Sequence, residues 1–423
     1  MIEIHNKRQC CGCEACVQIC PKHCISFEED SEGFRYPNVD VSACVDCGRC
    51  EKVCPFNNIG STYEPEIVYA KQNNNEQDLK HSSSGGIFLL LATKIIAEGG
   101  VVFGASFDKN WEVEHTYAET VEDVRKFMGS KYVQSRIGNS YNEVQSFLKK
   151  GRKVLFTGTP CQVAGLRNFL GKDFENLLTV DFICHGVPSP LVWRLYLEEV
   201  KENARKGENT VSPTLNHSNS EGETRRNEVS ITGISFRDKR LGWKKYSFAL
   251  TLAKATAEGK KNSVSLSYWH RENPYMLGFL SNLIIRCSCQ QCMVKRGRSK
   301  SDITIADFWG IQRIRPELDN DKGCSMVILK TEIGHRFGDD LLINSPIISF
   351  KEAIVGNGAY FKSVIIHPNQ KKFFSKLQKI RNNKNSNGQT VINLLEKLSN
   401  LPLSYKIRRK IESEFQEFWS KIH

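Results

Sequence analysis

The chain has 423 residues, 40% hydrophobic and 25% charged, which is too long for one ordinary core and predicts two or three packed globular units. No run approaches the roughly 18 apolar residues of a membrane span; the best candidate, Ile87–Ala92, is cut off by Lys94. The net charge of +12 does not argue for nucleic acid, because the segment Lys371–His423 holds twelve Lys/Arg against four Asp/Glu and leaves the rest near balance.

The N-terminus reaches Cys10 without an apolar signal core, so a cytoplasmic location is expected. Sixteen cysteines in that setting argue for metal ligation over disulfides, because the cytosol keeps thiols reduced.

In chain order, the sequence opens on an internal repeat. Cys10-x2-Cys13-x2-Cys16-x3-Cys20-Pro21 recurs as Cys44-x2-Cys47-x2-Cys50-x3-Cys54-Pro55. Beyond Pro65, strand-like runs (Glu66–Lys71, Gly100–Phe107, Lys153–Thr157, Leu178–Cys184) alternate with helix-like ones (Gly86–Glu98, Thr120–Phe127, Tyr141–Lys150, Val163–Leu170, Leu191–Lys201). Residues 202–228 are polar and read as a surface excursion. Strand-like runs return at Val229–Phe236 and Tyr246–Leu252, then a cysteine-bearing loop at 287–292 and an alternating run from Ser301 to Gly310. The tail reads as helical, with Ile407, Ile411, Phe415 and Phe418 on one face.

The expected fold is an α+β ferredoxin-like N-terminal domain, then an α/β body with β-α-β units, then a helical C-terminal tail. The expected divisions are 1–60, 61–150 and 151–370 (the two parts of the body, the second with the excursion 202–228) and 371–423.

Each repeat supplies three thiolates from one tight loop, and its fourth Cys crosses to the other cluster, the arrangement of two 4Fe-4S cubes. Cluster one is assigned Cys10, Cys13, Cys16 and Cys54; cluster two takes Cys44, Cys47, Cys50 and Cys20. A pair of zinc knots would leave the trailing Cys-Pro of each octet unexplained. Cys11 and Cys24 fall outside the pattern and read as packed or spare thiols.

Two further thiols follow predicted strands. Cys161 ends Lys153-Val-Leu-Phe-Thr-Gly-Thr-Pro, and Cys184 ends Leu178-Thr-Val-Asp-Phe-Ile one β-α-β unit later. Ligands of open α/β sheets sit beyond the carboxyl ends of strands. With Cys289-x2-Cys292, these thiols make a candidate third 4Fe-4S site, in which Cys287 competes with Cys289; the alternative is that Cys161 and Cys184 are small buried apolar residues.

His81-Ser-Ser-Ser-Gly-Gly86 before a helical run, and Gly129-Ser-Lys-Tyr132, read either as phosphate-holding loops or as plain capping and a polar loop. No Rossmann fingerprint or P-loop is present.

Taken together, the repeat, Ser-Ser-Gly-Gly86, Gly129-Ser-Lys-Tyr132, Phe156-Thr-Gly-Thr-Pro-Cys-Gln162, Cys184-His-Gly-Val-Pro-Ser189 and Asp302-Ile-Thr-Ile-Ala-Asp-Phe-Trp-Gly310 resemble the family of coenzyme F420 hydrogenase/dehydrogenase beta subunits. The likeness is to bacterial members with a fused N-terminal ferredoxin domain, over about residues 8 to 370. The resemblance implies an iron–sulfur flavoprotein with FAD held by Ser84, Gly85, Gly86, Ser130, Lys131 and Tyr132. It strengthens the third cluster at Cys161, Cys184, Cys289 and Cys292. It also implies relatives in cell-surface polysaccharide synthesis and in reduction of chlorophyll precursors, so it leaves the substrate open.

The expected function is an oxidoreductase that relays electrons from a one-electron carrier such as ferredoxin, through the clusters and FAD, to a small-molecule acceptor, or in reverse. His185 is the candidate proton donor, against a plain backbone-bonding role. The rival is a non-catalytic electron-transfer protein serving a separate enzyme. No nucleic-acid partner is expected, and the basic tail reads as a packed helix ahead of a surface for an acidic partner or anionic membrane.

Overall fold

The computed structural model describes residues 1–206, 229–255, 261–382 and 390–400. At the N-terminus, β1 (Ile25–Glu29) and β2 (Arg35–Val39) pair antiparallel beside two short helices, Ala15–Ile19 and Arg49–Lys52, that carry Cys16 and Cys50.

The body is built on one mixed sheet. Its strands are β3 (Ile67–Lys71), β4 (Val101–Phe107), β5 (Val113–Ala118), β6 (Val154–Thr157) and β7 (Leu177–Phe182). A second, three-stranded antiparallel sheet follows as β8 (Val229–Asp238), β9 (Ser247–Ala255) and β10 (Lys261–Trp269), in the order β10-β9-β8. The main sheet is completed by β11 (Ile303–Asp307), β12 (Ser325–Leu329) and β13 (Ile347–Ser349) and runs β13-β3-β12-β11-β7-β6-β4-β5. Its centre, β4-β6-β7-β11, is parallel, and the flanks are antiparallel.

Strands covered on both faces read as apolar runs, and β6 (Val154-Leu-Phe) and β7 (Leu177-Leu-Thr-Val) do so. Leu155 and Leu178 point to one face, against Ile87, Leu91 and Ile95 of the helix Ile87–Ala97. Val154, Phe156 and Leu177 point to the other, against Val163, Leu166 and Phe169 of the helix Pro160–Leu170. The first of these helices stops at Glu98, where Gly99 turns left-handed (φ 73°) and its N–H returns to the Ile96 carbonyl.

The mixed α/β architecture agrees with expectation, and the predicted strands and helices of the body recur with ends shifted by a few residues. Three differences have clear causes. The helix expected from Val163 begins at Pro160, because Pro at the first position and Gln162 at the third form a capping box with Thr159. The helix expected to stop at Lys201 runs from Pro190 to Lys206, so the polar stretch from 202 starts as helix; 207–228 lies outside the described residues. In the tail, helices Gln370–Asn382 and Val391–Ser399 bury Phe373, Phe374, Leu377, Leu394, Leu395 and Leu398 against the aromatic core around Trp193 and Tyr275. The tail stripe Ile407, Ile411, Phe415 and Phe418 lies outside the described residues. Among the described residues, no helix is long and apolar enough to cross a membrane.

Candidate functional site

Because β4, β6, β7 and β11 run parallel, their carboxyl ends share one edge, and the chemistry collects there. After β6, the capping box sets Cys161 in the first turn of its helix, with Gln162 Oε1 accepting the Thr159 N–H at 2.9 Å. After β7, the chain turns through Cys184, His185 and Gly186. These two thiols and those of Cys289 and Cys292 line one cavity, together with Cys11. Cys287 faces elsewhere, its sulfur 3.8 Å from the Tyr36 hydroxyl. Burial raises the Cys184 thiol well above its ordinary value and pushes Cys289 up to about 12. Such buried thiols become thiolates when a metal takes the place of their protons.

The repeat gathers its thiols in the crossed pattern. Cys10, Cys13, Cys16 and Cys54 line one cavity with Cys11, and Cys20, Cys44, Cys47 and Cys50 line another with Cys24. In the second, the Ile2 and Asp46 N–H groups donate to the sulfurs of Cys50 (3.2 Å) and Cys44 (3.4 Å), and Cys47 is exposed. Both Gly12 (φ 72°) and Gly48 (φ 69°) take left-handed turns that the tight loops require. Each set of four thiols is the donor set of a 4Fe-4S cube. Cys11 lines the first repeat cavity and the body cavity alike, and its thiol reaches those of Cys13 and Cys161.

Asp181, Phe182, Cys184, His185 and Gly186 form a wall between the body's thiol cavity and a larger cavity of about 530 Å³, within the size range of organic ligand sites. Ser84, Gly86, Ser130, Lys131 and Tyr132 line this larger cavity. Gly85 does not: a Cβ there would stand 2.2 Å from the Lys71 carbonyl oxygen, so its bare backbone serves close packing against the strand ends.

The serines do not cap the helix they precede. Ser82 donates to the Asp78 carbonyl at 2.7 Å and Ser84 to the Cys324 carbonyl at 2.9 Å, and Ser83 Oγ accepts the Ser130 N–H at 2.6 Å. Gly86 begins the helix Ile87–Ala97 at φ 81° with no side-chain cap, so its first-turn N–H groups face the cavity's contents. Among the described residues, Lys131 Nζ donates only to the Met128 and Gly129 carbonyls (2.9 and 3.3 Å), and burial lowers it to about 7. A buried amine beside an uncapped helix start is a setting that an anion completes.

Other lining groups had no sequence signal. His115 is buried, stacks on Phe156 at 5.5 Å and is held neutral by burial, at about 4; its Nδ1 has no partner among the described residues. Arg237 pairs with Asp307 through bonds of 2.7 and 3.2 Å and lies over the Tyr246 ring at 4.2 Å, with Nε likewise unpartnered. Tyr132 stacks on Phe279 at 4.6 Å. The unpartnered nitrogens, the anion-ready loop and the aromatic walls fit a phosphate-bearing aromatic cofactor. His185 Nε2 lies 2.7 Å from Asn282 Oδ1. Asn282 gives its amide N–H to the Ile365 carbonyl, so the proton of this contact sits on His185 Nε2.

The sequence comparisons agree with this layout. Residues 151–352 match the family described as the C terminus of the coenzyme F420 hydrogenase/dehydrogenase beta subunit, and residues 9–58 match a 4Fe-4S dicluster domain. The chain belongs to the family of coenzyme F420 hydrogenase/dehydrogenase beta subunits, with a dicluster domain at its N-terminus. Among curated relatives, an uncharacterized protein of Methanocaldococcus jannaschii is 26% identical over 205 residues, 41% of this chain and 56% of that protein. The F subunit of the F(420)H(2) dehydrogenase of Methanosarcina mazei is 25% identical over 178 residues, 39% of this chain and 49% of that one. The coenzyme F420-dependent sulfite reductase of M. jannaschii is 28% identical over 170 residues, 39% of this chain and 26% of that one. The chain thus spans about half the length, or less, of these relatives. Family membership accounts for the C-terminal part of the body. The loops holding Ser84 and Lys131 lie outside both matched segments.

Proposed function

We propose that the chain is an iron–sulfur flavoprotein oxidoreductase, with 4Fe-4S clusters at all three thiol cavities and FAD in the larger one. The observation that carries this reading is the shared wall: Cys184 and His185 line both the body's thiol cavity and the larger one. Clusters exchange single electrons, and FAD supplies the exchange between one-electron and two-electron chemistry. A chain that sets their sites side by side is suited to couple the two.

In this reading Lys131, the Ile87–Ala97 helix start and the Ser83 and Ser130 hydroxyls hold the pyrophosphate, the amine and helix dipole offsetting its charge. Tyr132 and Phe279 supply a flat apolar wall for a ring system. His185, oriented by Asn282, is the proton donor to the acceptor. A small one-electron carrier such as ferredoxin delivers to the cluster at exposed Cys47. The acceptor is a small molecule that takes two electrons. The relatives' names make a deazaflavin one member of that class, while nothing in the cavity lining favours a polysaccharide or chlorophyll precursor.

A second reading, in which the chain transfers electrons within a larger assembly to a partner enzyme, draws on the M. mazei relative being named as one subunit of a dehydrogenase. Metal and flavin analysis of the anaerobically purified chain tests both. About twelve iron and one FAD per chain support the first reading, and about eight iron would remove the third cluster. Full iron without flavin absorbance would sink the enzyme reading in favour of the electron-transfer one.

A further inference from the structure

The two halves of the cysteine repeat are alike in sequence but not in surroundings. Around Cys44, Cys47 and Cys50 the sulfur contacts are backbone N–H groups, and nothing lies within 4 Å of where a Gly48 side chain would start. At the corresponding place in the first half, a Cβ on Gly12 would come within 3.2 Å of the Arg286 guanidinium.

Arg286 is fully buried, and among the described residues it has no carboxylate partner. Its Nε donates to the Cys10 carbonyl at 2.8 Å, and its Nη2 lies 3.5 Å from Cys10 Sγ. Nη1 donates to Gln134 Oε1 at 3.2 Å and Nη2 to the Arg35 carbonyl at 3.0 Å. The cation lies over the rings of Tyr36 and Phe34, at 4.2 and 5.4 Å. A buried guanidinium needs compensating negative charge, and a thiolate-ligated cluster at Cys10 provides it.

We propose that Arg286 raises the reduction potential of the cluster held by Cys10, Cys13, Cys16 and Cys54 above that of its twin. The inference rests on the ligand assignment above. Each added electron makes a cluster more negative, so a cation in contact with a ligating sulfur favours the reduced form. Among the described residues, no buried cation touches the sulfurs around exposed Cys47. Electrons that enter there run inward, toward the cluster that shares Cys11 with the body's thiol cavity.

The test is an anaerobic redox titration of the full-length holoprotein, followed by electron paramagnetic resonance. Arg286→Gln is expected to shift one of the two N-terminal signals toward the oxidised form at least tenfold, about 59 mV for one electron. The other signal stays in place, and Arg286→Lys keeps the wild-type value. Should Arg286→Gln lose iron, Gln134→Glu sets a carboxylate beside Nη1 and is expected to lower the same signal. The proposal fails if neither signal moves in an iron-replete Arg286→Gln protein, or if Gln134→Glu moves none. It also fails if Arg286→Lys shifts as far as Arg286→Gln. A wild-type protein without two N-terminal signals would instead reject the ligand assignment, before any variant is compared.

Discussion

Gly165, midway along the helix Pro160–Leu170, leaves no room for a side chain: its Cβ would stand 3.1 Å from the sulfur of Cys13 and 3.0 Å from the Tyr141 hydroxyl. The same helix carries Cys161, so this close approach seats the first repeat loop against the element that begins the body's thiol cavity. A branched side chain must push them apart. Gly165→Val is expected to lower the unfolding midpoint and to slow electron transfer from the N-terminal clusters to the body, while both N-terminal clusters keep their iron. Stopped-flow reduction of the flavin by dithionite checks it, and an unchanged rate would show that this contact does not set the electron path.

The body's cavity distinguishes two neighbouring thiols. Cys289 lines it, whereas Cys287 turns toward Tyr36. Cys289→Ser is therefore expected to lose about four iron per chain, one cube's worth, and Cys287→Ser to lose none. Equal losses in the two variants would mean that the loop from 287 to 292 reorganises when the cluster assembles.

These residues also mark how far the sequence could be read. The cysteine octets were legible because ligand spacing is local, and β6 and β7 because strands buried on both faces become short apolar runs. The start of the helix at Pro160 was equally local, since Thr159, Pro160 and Gln162 form a capping box, but beside Gly158 it read as a turn. Arg286 and Cys10 are 276 positions apart, and nothing near either one announces the contact. His115 and Arg237 escaped for the same reason: each acquires its role from strands that the sheet order, rather than the chain order, makes neighbours. Gly85 shows the converse error. A glycine in a phosphate-loop pattern proved to be a packing glycine, because the pattern does not reveal which of two adjacent glycines faces the cavity.

Asp307 holds Arg237 through two hydrogen bonds and also accepts the Trp243 indole N–H at 3.1 Å. Arg237 is 6% exposed, so loss of its counter-ion leaves a buried charge uncompensated. Asp307→Asn is expected to cost roughly 3 kcal/mol of stability, read from the urea midpoint. The double variant Arg237→Met/Asp307→Asn should regain much of that loss, since it removes the stranded charge. A single variant as stable as wild type would show that water reaches and solvates the guanidinium.

Lys131 links cofactor binding to pH. Its amine is lowered by burial from 10.5 to about 7, so between these values the unfolded chain holds a proton that the folded, flavin-free chain has released. Stability of the flavin-free protein therefore rises as pH climbs through that window. A bound pyrophosphate reverses the preference, because the anion restores the charged amine. Binding then takes up a proton above pH 7, and FAD affinity is expected to fall there, by up to about tenfold per pH unit. Lys131→Met removes the counter-charge and the titration together, so it should bind FAD weakly at neutral pH and show a flatter pH profile. Fluorescence titration of flavin-free wild type and variant, at one pH below Lys131's value and one well above it, measures both effects. Unaltered affinity in the variant at the lower pH would exclude Lys131 from the pyrophosphate site.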